Sequence, residues 1–328
     1  MTESKAFASK QAILVGWIGT LLIRVAVPAW IIFGALQKAI GGTPKSLPRS
    51  ILDAGSTFGI NDHFLVLASL VSIEFFFVAF MLFSPKFAKL SGIVMLGTFL
   101  LVLSVEMFGY GNFESCGCFG EKSMSPMAMF AIDFSLLLGI LLIKPRPSNG
   151  ALSKGNRSLL LVATFTVIAG VFTFNSVLNR KTIDTTTDGV TQTNLPASWY
   201  PKDIGNWVGK DIHSIDLFSW VKEWPHDISD GKQYVIFYSL TCDHCEALLW
   251  EYFEFLTVPT TLVAIPQSTD GFNYDGAFEN PCMDCDTTEL LIGTDWIIGT
   301  PLLVAIDNGI VKCATENENH EAPACLVH

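Results

Sequence analysis

The chain has 328 residues, half of them hydrophobic and 16% charged, with a mean hydropathy of +0.43 and a formal charge of −11. Soluble domains rarely have that composition, whereas long apolar runs of about 20 residues each are the mark of membrane spans. The acidic residues gather after about residue 182, and an anionic domain of that kind excludes nucleic acid as an expected partner.

Five apolar runs are long enough to span: 12–36, 64–83, 90–108, 124–143 and 158–178. The first is too long, and too soon followed by others, to be a cleaved signal peptide. Lys5 and Lys10 precede the first run, Lys86 and Lys89 follow the second, and Lys144, Arg146, Lys154 and Arg157 follow the fourth. Basic flanks favour the cytoplasmic side, which puts these three stretches inside. Lys38, Lys45 and Arg49 then fall outside and weaken the pattern. The expected topology is a multi-pass protein of the inner (cytoplasmic) membrane with a cytoplasmic N-terminus. The loop 112–123 and the C-terminal domain then share the periplasmic, oxidising side.

Four ionisable residues lie within the runs: Arg24, Glu74, Glu106 and Asp133. Each is expensive in hydrocarbon, so each is expected to face the bundle interior and find a partner. Arg24 with Glu74 or Asp133 is the natural pair by depth. Two roles fit these residues: fixing helix register, or handling the protons that dithiol oxidation releases. Glu106 is the closest in sequence to the third-to-fourth loop and suits the second role better. His63 and Tyr110, at the outer ends of their runs, are candidates to line the same pocket.

That loop carries SCGCFGEKS (115–123), with Cys116 and Cys118 one residue apart. A bond between them needs a sharp bend, which Gly117 and Gly120 permit. So small a ring stabilises a fold very little, so redox activity is the favoured reading over a staple.

The segment RKTIDTTTDGVTQTNLPASWYPKD (180–203) is polar, threonine-rich and without periodicity. It reads as part of a flexible linker over 181–206, with folding resumed near Trp207. The expected organisation is a four-helix membrane domain (1–150), a fifth transmembrane helix (151–180), that linker, and an exported α/β domain (207–328). Within the last, 233–240, 260–266, 301–307 and 309–315 have strand character, and 246–256 has the apolar spacing of a helix.

In YSLTCDHCEALLWEYF (238–253) a strand ends, a turn carries Cys242 and Cys245, and a helix begins. A thiol at a helix start is favoured as thiolate, the nucleophile of disulfide exchange. The second cysteine can close the intramolecular disulfide and release a partner. His244 adds a donor or positive charge near Cys242, and Asp243 pulls the other way. Cys282 and Cys285 form another C-x-x-C, in FENPCMDCDTTE (278–289). A local disulfide pinning a long surface loop is preferred there over a second redox pair. Cys313 and Cys325 are expected to bridge the tail to the last strand. Two C-x-x-C pairs also fit a zinc site, but the gap between them is wide for one, and no metal is expected.

Strand, C-x-x-C, helix and a later Thr-Pro before a strand-turn-strand resemble the thioredoxin fold over roughly 207–315. That resemblance implies a cis proline at Pro301 beside the cysteines; the chain is expected to depart from it in the family's closing helix, which is short or missing here. His244 before the second cysteine is similar to periplasmic disulfide oxidases of the DsbA type, which have proline where this chain has Asp243. The stretch ESCGCFG (114–120), between the third and fourth of four packed spans, resembles the MauE family of methylamine-utilisation membrane proteins, relatives of the DoxX-like proteins, over roughly 10–145. That family is linked to disulfide formation during maturation of an exported amine dehydrogenase subunit, with a separate thioredoxin-like partner (MauD-like). The chain resembles both parts fused.

Together these readings give a membrane thiol–disulfide oxidoreductase. Electrons pass from an exported client protein through Cys242/Cys245 to Cys116/Cys118, and a lipid quinone is the candidate acceptor; no covalent cofactor is expected. The alternatives are the same relay in the reductive direction, a non-catalytic assembly scaffold, and a small-molecule transporter using Arg24 and Glu74.

Overall fold

The computed structural model describes residues 13–111, 124–143, 145, 155–181, 195–255, 257–316 and 324–327. Cys116 and Cys118 lie outside the described residues. The chain forms two compact units, Met1–Thr182 and Ile183–His328.

In the first unit, helix α1 (Ile13–Gly41) is followed by a short helix α2 (Arg49–Thr57) and then by α3 (His63–Phe83), α4 (Ala88–Gly109), α5 (Pro126–Leu142) and α6 (Gly155–Leu178). Four segments are long and apolar enough to cross a membrane: Ile13–Gly41, His63–Phe83, Ala88–Gly109 and Arg157–Leu178. The fourth expected span, 124–143, is shorter. Ser125 caps the first turn of α5 from outside, Pro126 opens the helix, and Ile143 is already extended. The 17 residues left rise only about 25 Å, less than the roughly 30 Å of a bilayer core.

α1 is not regular: Leu22–Ala26 forms a π turn. Pro28 has no N–H to donate to the carbonyl of Arg24 four residues earlier, and a local widening is one way to absorb that loss. Ile23, Val27 and Ile31 nonetheless pack with Val78, Leu96 and Ile140 into one apolar core. Gly139 packs closely there: a Cβ at that position would lie 2.7 Å from Leu22 Cδ2, so a larger residue would make the Leu22 side chain shift. Where α6 ends, Arg180 donates to the carbonyls of Ala39 (2.6 Å) and Gly42 (2.5 Å) at the end of α1. A cation is well placed at the negative end of a helix.

The buried charges pair differently from expectation. Glu74 bonds Lys38, not Arg24, and both partners are almost wholly buried. Lys38 therefore belongs to α1 and not to a loop, and it drops out of the loop-charge count. Helical side chains lean toward the N-terminus, so a lysine near the end of α1 reaches back to the depth of Glu74. Its ammonium also lies 5.8 Å from the Phe99 ring centroid. Asp133 Oδ1 accepts from Trp30 Nε1 at 2.8 Å. Arg24 Nη2 has no hydrogen-bond partner among the described residues. Glu106 Oε1 accepts from Ser50 N (2.9 Å) and Ser50 Oγ (2.7 Å), so it caps the start of α2, while Tyr110 donates to Asp53 of the same helix. His63 opens α3 and is buried.

In the second unit, β1 (Ser198–Trp199) pairs in parallel with β5 (Asp295–Trp296) as a small separate ladder. The main sheet contains β2 (Lys232–Tyr238), β3 (Thr260–Ala264), β4 (Asp286–Glu289), β6 (Leu302–Asp307) and β7 (Ile310–Glu316), in the order β4-β3-β2-β6-β7. β2–β3 and β3–β4 are parallel; β2–β6 and β6–β7 are antiparallel. β2 and β6 are buried on both faces, which is why they read as unbroken apolar runs. Asn308 (φ 49°) and Gly309 (φ 73°) supply the two positive φ values that a tight hairpin between β6 and β7 needs.

The linker reading is corrected at its C-terminal end. Leu195, Trp199 and Ile204 pack against the core, and the Trp199 ring lies 5.9 Å from Trp220 and 6.1 Å from Trp296. A few large side chains in a polar segment were enough to order it. Residues 182–194 lie outside the described residues. β4 was also not expected: DTTE carries no apolar pattern, and its polar side chains suit a sheet edge.

Candidate functional site

β2 delivers the chain to Ser239–Thr241, and Cys242 then adopts φ −94°, ψ 110° as the cap of helix α7 (Asp243–Leu248). The cap is made by sulfur: Cys242 Sγ accepts the N–H of Cys245 at 3.2 Å. α7 runs on into a π turn, Leu249–Phe253. Leu248, Leu249 and Phe253 hold it on the sheet face formed by Tyr234, Ile236, Leu262 and Leu303. The apolar spacing that marks the helix in the sequence is thus the same feature that fixes the two cysteines at the end of β2.

A second loop completes the site. The Thr300–Pro301 peptide is cis, and Thr300 faces Cys242. Thr300 Oγ1 donates to Cys242 Sγ at 3.5 Å, and Sγ lies 3.7 Å from the Thr300 carbonyl oxygen. The loop is braced from β7, where Glu316 Oε1 accepts from Gly299 N at 2.8 Å. Thr300 and Glu316 were not among the expected site residues. The Thr-Pro pair was visible, but which atoms meet the sulfur depends on the turn.

The two thiols are unequal. Cys242 is half-buried and Cys245 is fully buried. The Cys242 thiol is lowered to about 6 by the hydrogen bond from the Cys245 thiol, and further by the Thr300 hydroxyl, the Cys245 N–H and the nearby His244. Burial opposes the shift without cancelling it. Cys245 is pushed up, first by burial and then by its bond to Cys242. Asp243 is exposed at the mouth of the site. An accessible thiolate beside a buried protonated thiol is the arrangement that nucleophilic thiol exchange needs. Replacing Thr300 by valine removes one donor and is expected to raise the Cys242 pKa by up to about one unit, about 1.4 kcal/mol. The pH profile of thiol alkylation checks this; an unchanged profile contradicts the assigned role.

The remaining described cysteines are bonded: Cys282 to Cys285 and Cys313 to Cys325, with Cα separations of 5.4 and 5.3 Å. Cys282 is buried, with its backbone N–H and carbonyl both held by the Asn280 side chain. The first bridge therefore pins the lead into β4 as well as a loop. Among the described residues no group of three or more His, Cys, Asp or Glu gathers within metal-binding range. No family model, curated protein or solved structure matches the chain.

Proposed function

We propose that the protein is a membrane-bound thiol–disulfide oxidoreductase with a thioredoxin-like domain exported beyond a MauE-like helical domain. The observation that carries this reading is the asymmetry of Cys242 and Cys245, one sulfur half-exposed and acidic, the other buried. The cis Thr300–Pro301 loop at Cys242 and the mixed sheet under α7 support a thioredoxin-like identity. Four apolar helices of spanning length support membrane residence.

In the favoured direction a client thiolate attacks Cys242 Sγ of the Cys242–Cys245 disulfide, and Cys245 leaves. The client's second thiolate then breaks the mixed disulfide, so two electrons move from client to protein. Cys116/Cys118 in disulfide form re-oxidises the pair by the same exchange. A lipid quinone is the acceptor that shares the bilayer. This requires the N-terminus on the cytoplasmic side and both dithiols on the periplasmic side.

A Cys245→Ala variant tests the scheme, because it cannot resolve its own mixed disulfides. Mass spectrometry of trapped adducts is expected to find Cys242 joined to Cys116 or Cys118, and to a client. Cys242 recovered only as an unmodified thiol would sink the relay and leave a scaffold role.

A further inference from the structure

Between residues 233 and 311 the sequence contains no lysine or arginine, but twelve aspartates and glutamates. That stretch supplies the dithiol turn, α7, the segment before β4 and the cis-proline loop. Several of the carboxylates stand near the dithiol turn in the chain or on segments bonded to it. Asp243 and Glu246 stand in the first turn of α7. Glu279 follows Phe278, whose N–H donates to the Leu240 carbonyl at 3.1 Å, two residues before Cys242. Glu316 braces Gly299 beside Thr300. Asp275 and Glu279 are exposed on the insert.

These charges do nothing for the thiol itself. Negative neighbours disfavour a thiolate, and Cys242 is activated instead by contacts within a few ångströms. What a one-signed field does affect is the approach of a charged partner, through encounter rate and selection. An exposed tyrosine, Tyr274 (68% exposed), stands on the same insert and offers an aromatic face to a cation.

Building on the redox reading above, we propose that the Cys242 site takes polypeptide clients whose reactive cysteines are flanked by lysine or arginine. The exchange is the one already written. The client dithiol loses two electrons and two protons, and Cys242–Cys245 becomes a dithiol. Neutral and acidic clients meet the same chemistry without the attraction.

The test uses the full chain in discs of zwitterionic lipid, with Cys242–Cys245 oxidised. Two dithiol peptides serve as probes, identical except for lysines or glutamates beside the cysteines. Single-turnover reduction is followed by alkylation and gel shift at low and high salt. At low salt the lysine peptide is expected to react at least about tenfold faster, with the ratio falling toward one as salt screens the field. Asp275→Lys with Glu279→Lys is expected to shrink the ratio, and Asp275→Asn with Glu279→Gln to shrink it less. Equal rates at low salt, or a ratio indifferent to salt, overturn the proposal while leaving the oxidoreductase reading intact. Failure of both peptides to react overturns both.

Discussion

Reduced Cys242 is expected to be alkylated as a thiolate down to about pH 6, with a midpoint near its lowered pKa of about 6. An ordinary cysteine loses this reactivity below about pH 8.5. The sign of the linked stability effect follows. In the window between those two values the unfolded chain binds more protons than the folded one, so the reduced domain gains stability as pH rises. The gain is fully present above the ordinary thiol pKa and is lost as pH falls through about 6. The disulfide form has no such thiolate, so the denaturation midpoint of the reduced domain should rise relative to that of the oxidised domain as pH increases across this window. Stabilising the reduced form makes the Cys242–Cys245 disulfide the stronger oxidant, which is the direction proposed. Cys242→Ser should abolish exchange altogether, whereas Cys245→Ala should lose the intramolecular disulfide and keep only the attack of the Cys242 thiolate on another disulfide, with no release afterwards. A midpoint near that of a free cysteine, with no pH dependence of stability, would count against an activated thiol.

The second large effect lies among the helices. Lys38→Met leaves the Glu74 carboxylate buried with no cation beside it. Removing one member of a buried pair typically costs about 3–5 kcal/mol, while replacing both by apolar residues is often neutral. Lys38→Met alone is therefore expected to destabilise the helical unit severely, and Lys38→Met with Glu74→Leu to recover most of the loss. Arg24→Leu should cost much less, since Arg24 is only half-buried and one of its nitrogens has no partner among the described residues. Unfolding of the full chain in mixed micelles, followed by helical signal, measures all three. Additive effects of the two single substitutions would show that Lys38 and Glu74 do not depend on each other.

Element positions were the most legible feature of the sequence, because burial on one or both faces leaves a periodic trace. The strands through Tyr234, Leu262 and Leu303 and the helix after Cys242 all fall where apolar spacing puts them. Buried partners were less legible. Arg24 was expected to meet Glu74 because both sit mid-run, but side-chain length and lean let Lys38 reach further than its own position suggests. The edge strand Asp286–Glu289 left no trace, since an edge needs no apolar face, and Trp199 was hidden by the threonines around it. In the site, C-x-x-C spacing marked the sulfurs. The hydroxyl of Thr300 and the brace from Glu316 arise from a loop whose path no local pattern encodes.

Both margins of the main sheet are tied by sulfur. Cys285 leads directly into β4 at one edge, and Cys313 lies within β7 at the other. An open sheet margin invites pairing with other chains. On the proposed topology, a newly made domain would cross the membrane with both bridges unformed and gain these braces beside its outer strands only after its own cysteines had been oxidised. Its maturation would then depend on the supply of oxidant that it helps to maintain, so a cell starved of that supply would lose the catalyst to aggregation as well as to reduction.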